Sequence, residues 1–499
     1  MASATLTELI EFAARLEEPQ LIGKLGISTG SIDSLGLRQI NFDLMDLVIP
    51  SLNNVARHIR PYTVIAWAWH RAAVCAKKAG HVKVDLNRLQ DFVDRIEVIF
   101  AWSQFLRDSR VDLPGRDVLD DLVKGKEHVF GGKGWAVRRE KRRDSTALSA
   151  AVNYGPFIKA LGWIQPAPKW PGAFVSADKI KAAISALENR LGEHLEHPAF
   201  SKLGPVTVTA KEVKNWSKAF SLEFLSAQEK AAMRESLMGS SARKELKQTC
   251  ETIAFLVKRR GGDIDEEAIR TDLCYGSGSH PDDARFDSVR TIWKLLQVRQ
   301  LFRLALESLL QWLLIQLSSH PAQTSELARA FISETGRAST TKEWLSVTGP
   351  KKMSIPERIR SLENAVSRKD APLAKAIQMA IAVSLAEARE SPNNERNDRL
   401  PLKRAQQEAK SFETQKPVEF VSHVLNSWVM GQHLYWAVGR GLADARSNGR
   451  RILRLKVVPE EAGLTLAPGA GPNFSNPPAA TEDRLGTLLS LMRESGTLS

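Results

Sequence analysis

The chain has 499 residues, a formal net charge of +13 and a pI near 9.6. A hydrophobic fraction of 43% and a charged fraction of 25% are typical of a folded protein and exclude global disorder or a collagen-like fibre. Three cysteines are too few for a disulfide-stapled secreted fold. Cys75, Cys250 and Cys274 sit among apolar residues, so we expect them to be core thiols. No signal-peptide pattern opens the chain, and no apolar run reaches the ~20 residues that span a membrane. We therefore expect a cytoplasmic protein without membrane contact.

Apolar residues recur at helical spacing along most of the chain, so we predict a mainly α, multi-domain protein. The strongest patterns predict helices over 62–78, 89–106, 226–238, 244–258 and 288–317. Composition shifts divide the chain into an N-terminal helical domain (1–135), a winged-helix-like module (136–200), a mixed helical module with a short β segment (201–280), a long-helix domain (281–390) and a C-terminal helical, basic module (391–499).

Two clusters carry much of the excess positive charge. The first comprises Arg138, Arg139, Lys141, Arg142 and Arg143, and the second comprises Arg446, Arg450, Arg451, Arg454 and Lys456. Such clusters attract a phosphate backbone and gain free energy by releasing condensed counterions. An acidic protein partner or a solvated surface would also account for them. The high pI favours nucleic acid, which we take to be duplex DNA.

The first cluster precedes a pattern typical of a winged helix. Residues 146–152 and 157–162 predict two short helices around a Tyr154-Gly155-Pro156 turn. Trp163-Ile164 and Phe174-Val175 then predict the two strands of a wing around a proline-rich tip. In such folds the second helix enters the major groove and the wing touches the backbone, although some serve as protein-binding modules. Lys159, Lys169 and Lys179 would contact phosphates, and Trp135 and Trp170 are candidates for stacking on bases or sugars.

Two N-terminal segments carry a resemblance. Leu35-Gly36-Leu37-Arg38-Gln39-Ile40 is followed by Arg57-His58-Ile59-Arg60-Pro61-Tyr62, which leads into a helix containing Trp67 and Trp69. These segments resemble the N-terminal signature of a poorly characterised bacterial family encoded in anti-phage defence islands. The stretch from Tyr154 to Ile164 looks like the middle of the same family. The resemblance implies a context near helicases and nucleases and no residue role. Arg57 and Arg60 could bind phosphate or could pair with Asp43 or Asp46.

Catalytic templates fit poorly. Gly132-Lys133 lacks both the first glycine of a P-loop and the Ser or Thr that should follow. His194 and His197 would share a helix face but lack the His-Glu-x-x-His spacing of a zinc site. Glu212-Val213-Lys214 and Glu245-Leu246-Lys247 each match only the Glu-x-Lys part of a metal-dependent nuclease. We therefore expect no catalytic residue, no metal and no cofactor.

These patterns lead to three hypotheses. The first is a non-catalytic, DNA-binding subunit of a bacterial anti-phage defence complex, which positions DNA for a partner helicase or nuclease. The second is a protein–protein adaptor or scaffold that holds an ATPase or nuclease subunit. The third is a metal-dependent nuclease whose carboxylates come from distant parts of the sequence. The basic clusters favour the first.

Overall fold

The computed structural model describes residues 33–80, 85–108, 110–114, 119, 124–131, 153–276, 286–347, 353–368, 372–389, 399–439, 455–471 and 477–498, and the backbone of the strands Gly26–Ile27 and Ile452–Leu453. This part of the chain is mainly helical, which confirms the predicted class. None of its helices is long and apolar enough to cross a membrane.

The chain forms two compact units, each built from two separate stretches. The first unit comprises residues 1–44 and 290–481, and the second comprises residues 45–289 and 482–499. Of the four boundaries predicted from composition, only the one at 280–281 lies near a boundary between these units. The last helix, Leu485–Glu494, belongs to the same unit as residues 45–289. Composition along the chain gives no sign of this, because the two stretches are far apart in the sequence.

The elements of the second unit follow in chain order. After the helix Arg38–Val48, whose end lies in this unit, come the helices Ile59–Lys78, Leu86–Arg107, Gly155–Ala160, Lys181–Leu191, Pro198–Ser201, Ala210–Trp216, Ala227–Met238, Lys244–Arg259, Glu266–Tyr275 and Leu485–Glu494. Two 3₁₀ turns, Asp178–Ile180 and Gly192–Glu196, flank the helix Lys181–Leu191. The strands Glu127–Phe130 and Val206–Thr209 form one antiparallel pair, and Ile164–Pro166 and Phe174–Ser176 form another.

The helix Ile59–Lys78 lies at the centre of the second unit. It packs against Leu86–Arg107, and its side chains are buried on nearly all sides, as its continuous apolar pattern predicts. Trp67 packs on Phe200 and Phe220 at ring-centroid distances of 5.6 and 6.1 Å. Tilted ring contacts of this kind join distant elements into one aromatic core.

Several helices begin where a capping box satisfies the first free N–H groups. Thr209 accepts from the Glu212 N–H, and the Glu212 carboxylate accepts from the Thr209 N–H at 2.7 Å. Ser226 and Glu229 form the same arrangement at the start of Ala227–Met238. Reciprocal capping satisfies two donors that a helix leaves unpaired, which fixes where each helix starts.

The elements of the first unit also follow in chain order. They are the helices Asp287–Gln316 (most of it), Thr324–Thr335, Thr341–Leu345, Ile355–Ser367, Leu373–Ala386, Leu402–Ser411 and Pro417–His423, the π-helix Val424–Gly431, and the strands Gly26–Ile27, Ile452–Leu453, Val457–Glu460 and Gly463–Leu466. Gly26–Ile27 pairs in parallel with Ile452–Leu453, and the last two strands form a hairpin.

The long helix Asp287–Gln316 carries polar side chains that are buried in the first unit. The Arg299 guanidinium donates to the carbonyls of Leu400 and Arg399 at 2.7 and 2.8 Å. Arg303 donates to the Ala479 carbonyl at 2.8 Å and pairs with Glu307. Because irregular segments leave main-chain carbonyls without partners, these arginines satisfy groups that would otherwise be buried unpaired.

Cys75, Cys250 and Cys274 are all buried, and none forms a disulfide bond. Burial raises the pKa of the Cys75 and Cys250 thiols above their usual value, because a thiolate is poorly solvated in an apolar environment. The prediction that the cysteines are core thiols is therefore confirmed.

Candidate nucleic-acid interface

The described part of the predicted winged-helix region is a short helix followed by a hairpin. The helix Gly155–Ala160 leads through Leu161 and Gly162 into the strand Ile164–Pro166, which pairs with Phe174–Ser176. The predicted pairing around the proline-rich tip is therefore confirmed. We call residues 155–176 the helix–hairpin. Residues 146–152, predicted as the preceding helix, Trp135 and the basic cluster Arg138–Arg143 lie outside the described residues.

Aromatic contacts anchor the helix–hairpin to the core of the second unit. Phe157 packs on Tyr62 at 5.5 Å, and Phe174 packs on Trp69 at 5.4 Å. The indole N–H of Trp163 donates to the Ser236 hydroxyl at 2.8 Å. Its base is therefore fixed, while the tip of Pro168, Lys169, Pro171 and Gly172 is exposed.

Two exposed lysines lie on the helix–hairpin. The Lys159 ammonium is 4.3 Å from the centre of the Phe174 ring, a cation–π contact between the helix and the second strand. Lys169 lies at the tip. Among the described residues, neither lysine has a carboxylate within ion-pair distance. Their charges are thus available to an anion in solvent.

Lys179 is placed differently from the other two lysines. Its side chain lies beside Gly162, and partial burial lowers its pKa, an effect that Glu235 opposes. Its neighbour Lys181 pairs with Asp178 at 2.6 Å. Lys179 and Lys181 are therefore weaker candidates for phosphate contact than Lys159 and Lys169.

The short helix offers little surface to a DNA groove. Phe157 and Ile158 are fully buried, and only Pro156 and Lys159 are exposed. A recognition helix needs several exposed side chains along one face to reach base edges. The geometry of the helix–hairpin therefore suits contact with a phosphate backbone.

The second basic cluster lies mostly outside the described residues. Arg446, Arg450, Arg451 and Arg454 fall there, and only Lys456 can be placed. Lys456 is 4% exposed, and burial lowers the pKa of its ammonium group. Its expected role in an exposed cluster is corrected, because its side chain packs inside the first unit.

Arg57 and Arg60 are separated by their environments. Arg60 is fully buried, pairs with Glu229 at 3.1 Å, and donates to the Phe224 carbonyl at 2.6 Å. Burial lowers the pKa of its guanidinium to about 10, against the raising effect of Glu229. A phosphate in solvent does not reach such a group, so the proposed phosphate contact of Arg60 is corrected.

Arg57 is 41% exposed and lies 3.4 Å from Asp112 and 3.6 Å from Glu482. The alternative partners Asp43 and Asp46 are not the ones observed, and Asp46 pairs with Arg484. Since both partners of Arg57 are exposed acids at long distance, the guanidinium remains accessible to a phosphate.

The histidines of the candidate metal site serve the fold. His194 lies in the 3₁₀ turn Gly192–Glu196, and His197 caps the next helix by accepting from the Ala199 N–H. The other nitrogen of His197 faces the Glu212 carboxylate at 3.1 Å. Within the part of the chain that the structure describes, no group of three or more His, Cys, Asp or Glu side chains could hold a metal ion.

One exposed residue has no counterpart in the sequence predictions. Phe224 is 61% exposed, the largest value among the large hydrophobic residues described as exposed. Its neighbours in the sequence resemble those of any connection between helices; they are Ser221, Leu222, Glu223 and Leu225. No periodicity marks it as a surface residue, so only the structure could find it.

No protein-family model, no curated protein and no solved structure matches the chain. The case for a function therefore rests on the residues of the chain itself.

Proposed function

We propose that this protein binds duplex DNA as a non-catalytic subunit of a bacterial anti-phage defence complex, and that the helix–hairpin contacts the DNA backbone. The observation that carries the proposal is the pair of exposed lysines, Lys159 and Lys169, on an element anchored by buried aromatic residues. In the sequence, the basic cluster Arg138–Arg143 precedes this element.

A fixed hairpin with exposed cations suits a backbone contact. Each lysine that neutralises a phosphate releases condensed counterions, so binding weakens as salt rises. Because the hairpin is already ordered, little conformational freedom is lost when DNA binds. We infer that the helix–hairpin acts as a winged-helix-like module whose wing, more than its short helix, meets the DNA.

The defence context rests on the resemblance of the N-terminal and middle segments. In that context a helicase or nuclease partner would act on the DNA that this subunit positions. A protein–protein adaptor is the alternative function. The two functions predict different effects of salt on binding. DNA binding weakens as salt rises, whereas an adaptor complex that forms through apolar contacts persists at high salt and needs no nucleic acid.

The test is fluorescence anisotropy with a labelled DNA duplex across a salt series. We compare the wild type with Lys159→Glu/Lys169→Glu and with the control Lys211→Glu/Lys214→Glu. The control reverses two exposed lysines of the helix Ala210–Trp216, which also lack ion-pair partners among the described residues.

Charge reversal of the helix–hairpin should weaken binding and reduce the slope of log K against log salt by about one per lysine that contacts a phosphate. The control should bind nearly as the wild type does. An equal loss in both variants would indicate a general charge effect and would remove the helix–hairpin as the binding surface. No binding by the wild type at low salt would favour the adaptor.

A further inference from the structure

The connection between the helices Ala210–Trp216 and Ala227–Met238, which contains Phe224, is held by hydrogen bonds to arginine side chains. The Phe224 carbonyl accepts hydrogen bonds from two guanidiniums, those of Arg60 and Arg190. Arg60 also pairs with Glu229, and the same carboxylate accepts from the N–H and hydroxyl of Ser226 at 2.8 and 2.9 Å. The Phe224 carbonyl and the nearby Ser226 are thereby tied to one buried network.

This anchoring distinguishes Phe224 from an ordinary exposed residue. Single exposed apolar side chains are common and need no explanation when they lie on loose loops. Here a fully buried ion pair fixes the main chain, yet the ring itself is left in solvent. A ring that is presented in a fixed place loses little conformational entropy when a planar ligand stacks on it.

The charges beside Phe224 favour an anionic ligand. The Arg190 guanidinium donates to two main-chain carbonyls, those of Phe224 and Lys218. Within the described ranges no carboxylate lies at ion-pair distance from Arg190 or from the exposed Lys218. The nearby Glu223 is paired with Arg107 at 3.0 Å. The Arg190 guanidinium therefore places a positive charge beside Phe224 that has no carboxylate partner among the described residues.

We propose that Phe224 is a stacking site for an unpaired base of single-stranded nucleic acid, with the Arg190 guanidinium close to an adjoining phosphate. An exposed aromatic ring beside basic groups is the arrangement by which proteins bind single strands without reading sequence. Bases within a duplex are already stacked on their neighbours and cannot use this site. The inference rests on the proposed function and extends it to DNA with an unpaired segment.

The experiment compares a labelled single-stranded oligothymidine with a duplex, using the wild type, Phe224→Ala, Phe224→Trp and the control Tyr275→Ala. Tyr275 is an aromatic residue of the same unit that is 42% exposed. Because Phe224 is exposed and its carbonyl makes the anchoring bonds, Phe224→Ala should fold normally, which thermal unfolding will check. An oligonucleotide containing 2-aminopurine reports stacking directly, since its fluorescence is quenched on an aromatic ring.

Phe224→Ala should weaken single-strand binding by roughly fivefold to a hundredfold, the range for loss of one stacked base. It should leave duplex binding within about twofold, because no base in a duplex reaches the ring. Phe224→Trp should retain the affinity and the quenching, and Tyr275→Ala should behave as the wild type.

Equal single-strand affinity for the wild type and Phe224→Ala would overturn the inference. A second outcome is duplex binding that depends on Lys159 and Lys169 with no single-strand binding at all. That outcome would overturn the stacking inference and leave the proposed function unaffected. Single-strand binding that depends on Phe224, with duplex binding indifferent to both lysines, would support the stacking site and remove the helix–hairpin as the duplex surface.

Discussion

The imidazole of His433 accepts a hydrogen bond from the main-chain N–H of Lys456 at 2.9 Å. Because Nε2 faces a donor, the ring proton must be on Nδ1, which donates to the Ser34 carbonyl at 3.1 Å. His433 is fully buried, so this neutral ring joins three chain segments of the first unit. Burial lowers the pKa of His433 to about 4, although the bond to Ser34 acts in the opposite direction.

This bonding makes the first unit sensitive to acid. The folded-state pKa lies below the ordinary value of 6.5, so the unfolded chain takes up a proton first as the pH falls. The stability due to neutral His433 is complete above pH ~6.5 and is lost progressively down to pH ~4. At pH ~5 the loss should be about 2 kcal/mol. Urea denaturation at pH ~7.5 and ~5 measures it.

The matched variant is His433→Gln, which can donate and accept but does not titrate in this range. It should be less stable than the wild type at neutral pH and should lose less stability on acidification. The difference between the two proteins isolates His433 from the carboxylates. Parallel pH profiles for both proteins would contradict the assignment.

The pair Arg57 and Arg60 gives a second prediction. Arg60→Met leaves the buried Glu229 carboxylate without its cation and the Ala219 carbonyl without its guanidinium donor, so we expect a loss of about 3–5 kcal/mol in unfolding free energy. Arg57→Met removes exposed, long ion pairs and a 3.4 Å bond to the Asn54 carbonyl, and should change stability by less than about 1 kcal/mol. Denaturant titration of both variants measures the contrast.

If the two variants had equal unfolding free energies, the buried Arg60–Glu229 pair would not stabilise the fold as the structure indicates. Duplex binding provides a further contrast. Arg57→Met can weaken it directly, whereas folded Arg60→Met should bind with unchanged salt dependence, because Arg60 does not reach solvent.

Local patterns predicted the helices well. The apolar spacing over 62–78, 89–106 and 244–258 corresponds to the observed helices Ile59–Lys78, Leu86–Arg107 and Lys244–Arg259. Helix periodicity is encoded within one segment, so the sequence displays it directly. The alternation of Val206 and Val208 indicated a strand in the same way.

Relationships between distant segments were beyond sequence patterns. The partner of Val206–Thr209 is Glu127–Phe130, which lies in a stretch that reads as a glycine-rich, basic loop. Basic residues were expected at the surface, yet Arg60 and Lys456 are buried by segments far away in the chain. Phe224 is the reverse case, an aromatic residue that is exposed although two distant arginines bond to its carbonyl.

A third prediction concerns Gly36 within the N-terminal signature. Gly36 has a φ of +69°, and a Cβ there would overlap the Trp436 indole. The Arg399 guanidinium lies 4.0 Å over that indole and donates to the Gly36 carbonyl, so the ring cannot easily move. Gly36→Ala should cost about 2–5 kcal/mol from backbone strain and overpacking together.

Gly469 is the control for Gly36. It lies in the same unit with a φ of +80°, and nothing lies within 4 Å of an added Cβ. Gly469→Ala should therefore cost only the backbone strain of about 1–2 kcal/mol. Thermal unfolding of both variants separates the two terms. Equal midpoints would show that the contact with Trp436 has no energetic consequence.

A fourth prediction comes from the π-helix Val424–Gly431. His423 and Trp428 are five residues apart, yet both donate to one oxygen of Glu408, at 2.9 and 2.6 Å. The i to i+5 hydrogen bonding of a π-helix adds a residue to the turn, which brings such positions to the same side. Arg404 donates to the other oxygen at 2.8 Å. Burial alone would raise the Glu408 pKa, but the bonds from Trp428, His423 and Arg404 together lower it.

Glu408→Gln places an amide where three donors converge, so at least one donor loses its acceptor. We expect a loss of about 1–3 kcal/mol in unfolding free energy at neutral pH. The folded-state pKa is depressed, so the contribution is present above the ordinary carboxyl value of 4.5 and is lost as the pH falls below it. The stability of the wild type and the variant should therefore converge in acid. Glu413→Gln, whose carboxylate has no hydrogen-bond partner among the described residues, should leave the stability at neutral pH unchanged. If the two glutamine variants gave the same stability at pH ~7 and ~3, the shared carboxylate would not stabilise the π-turn.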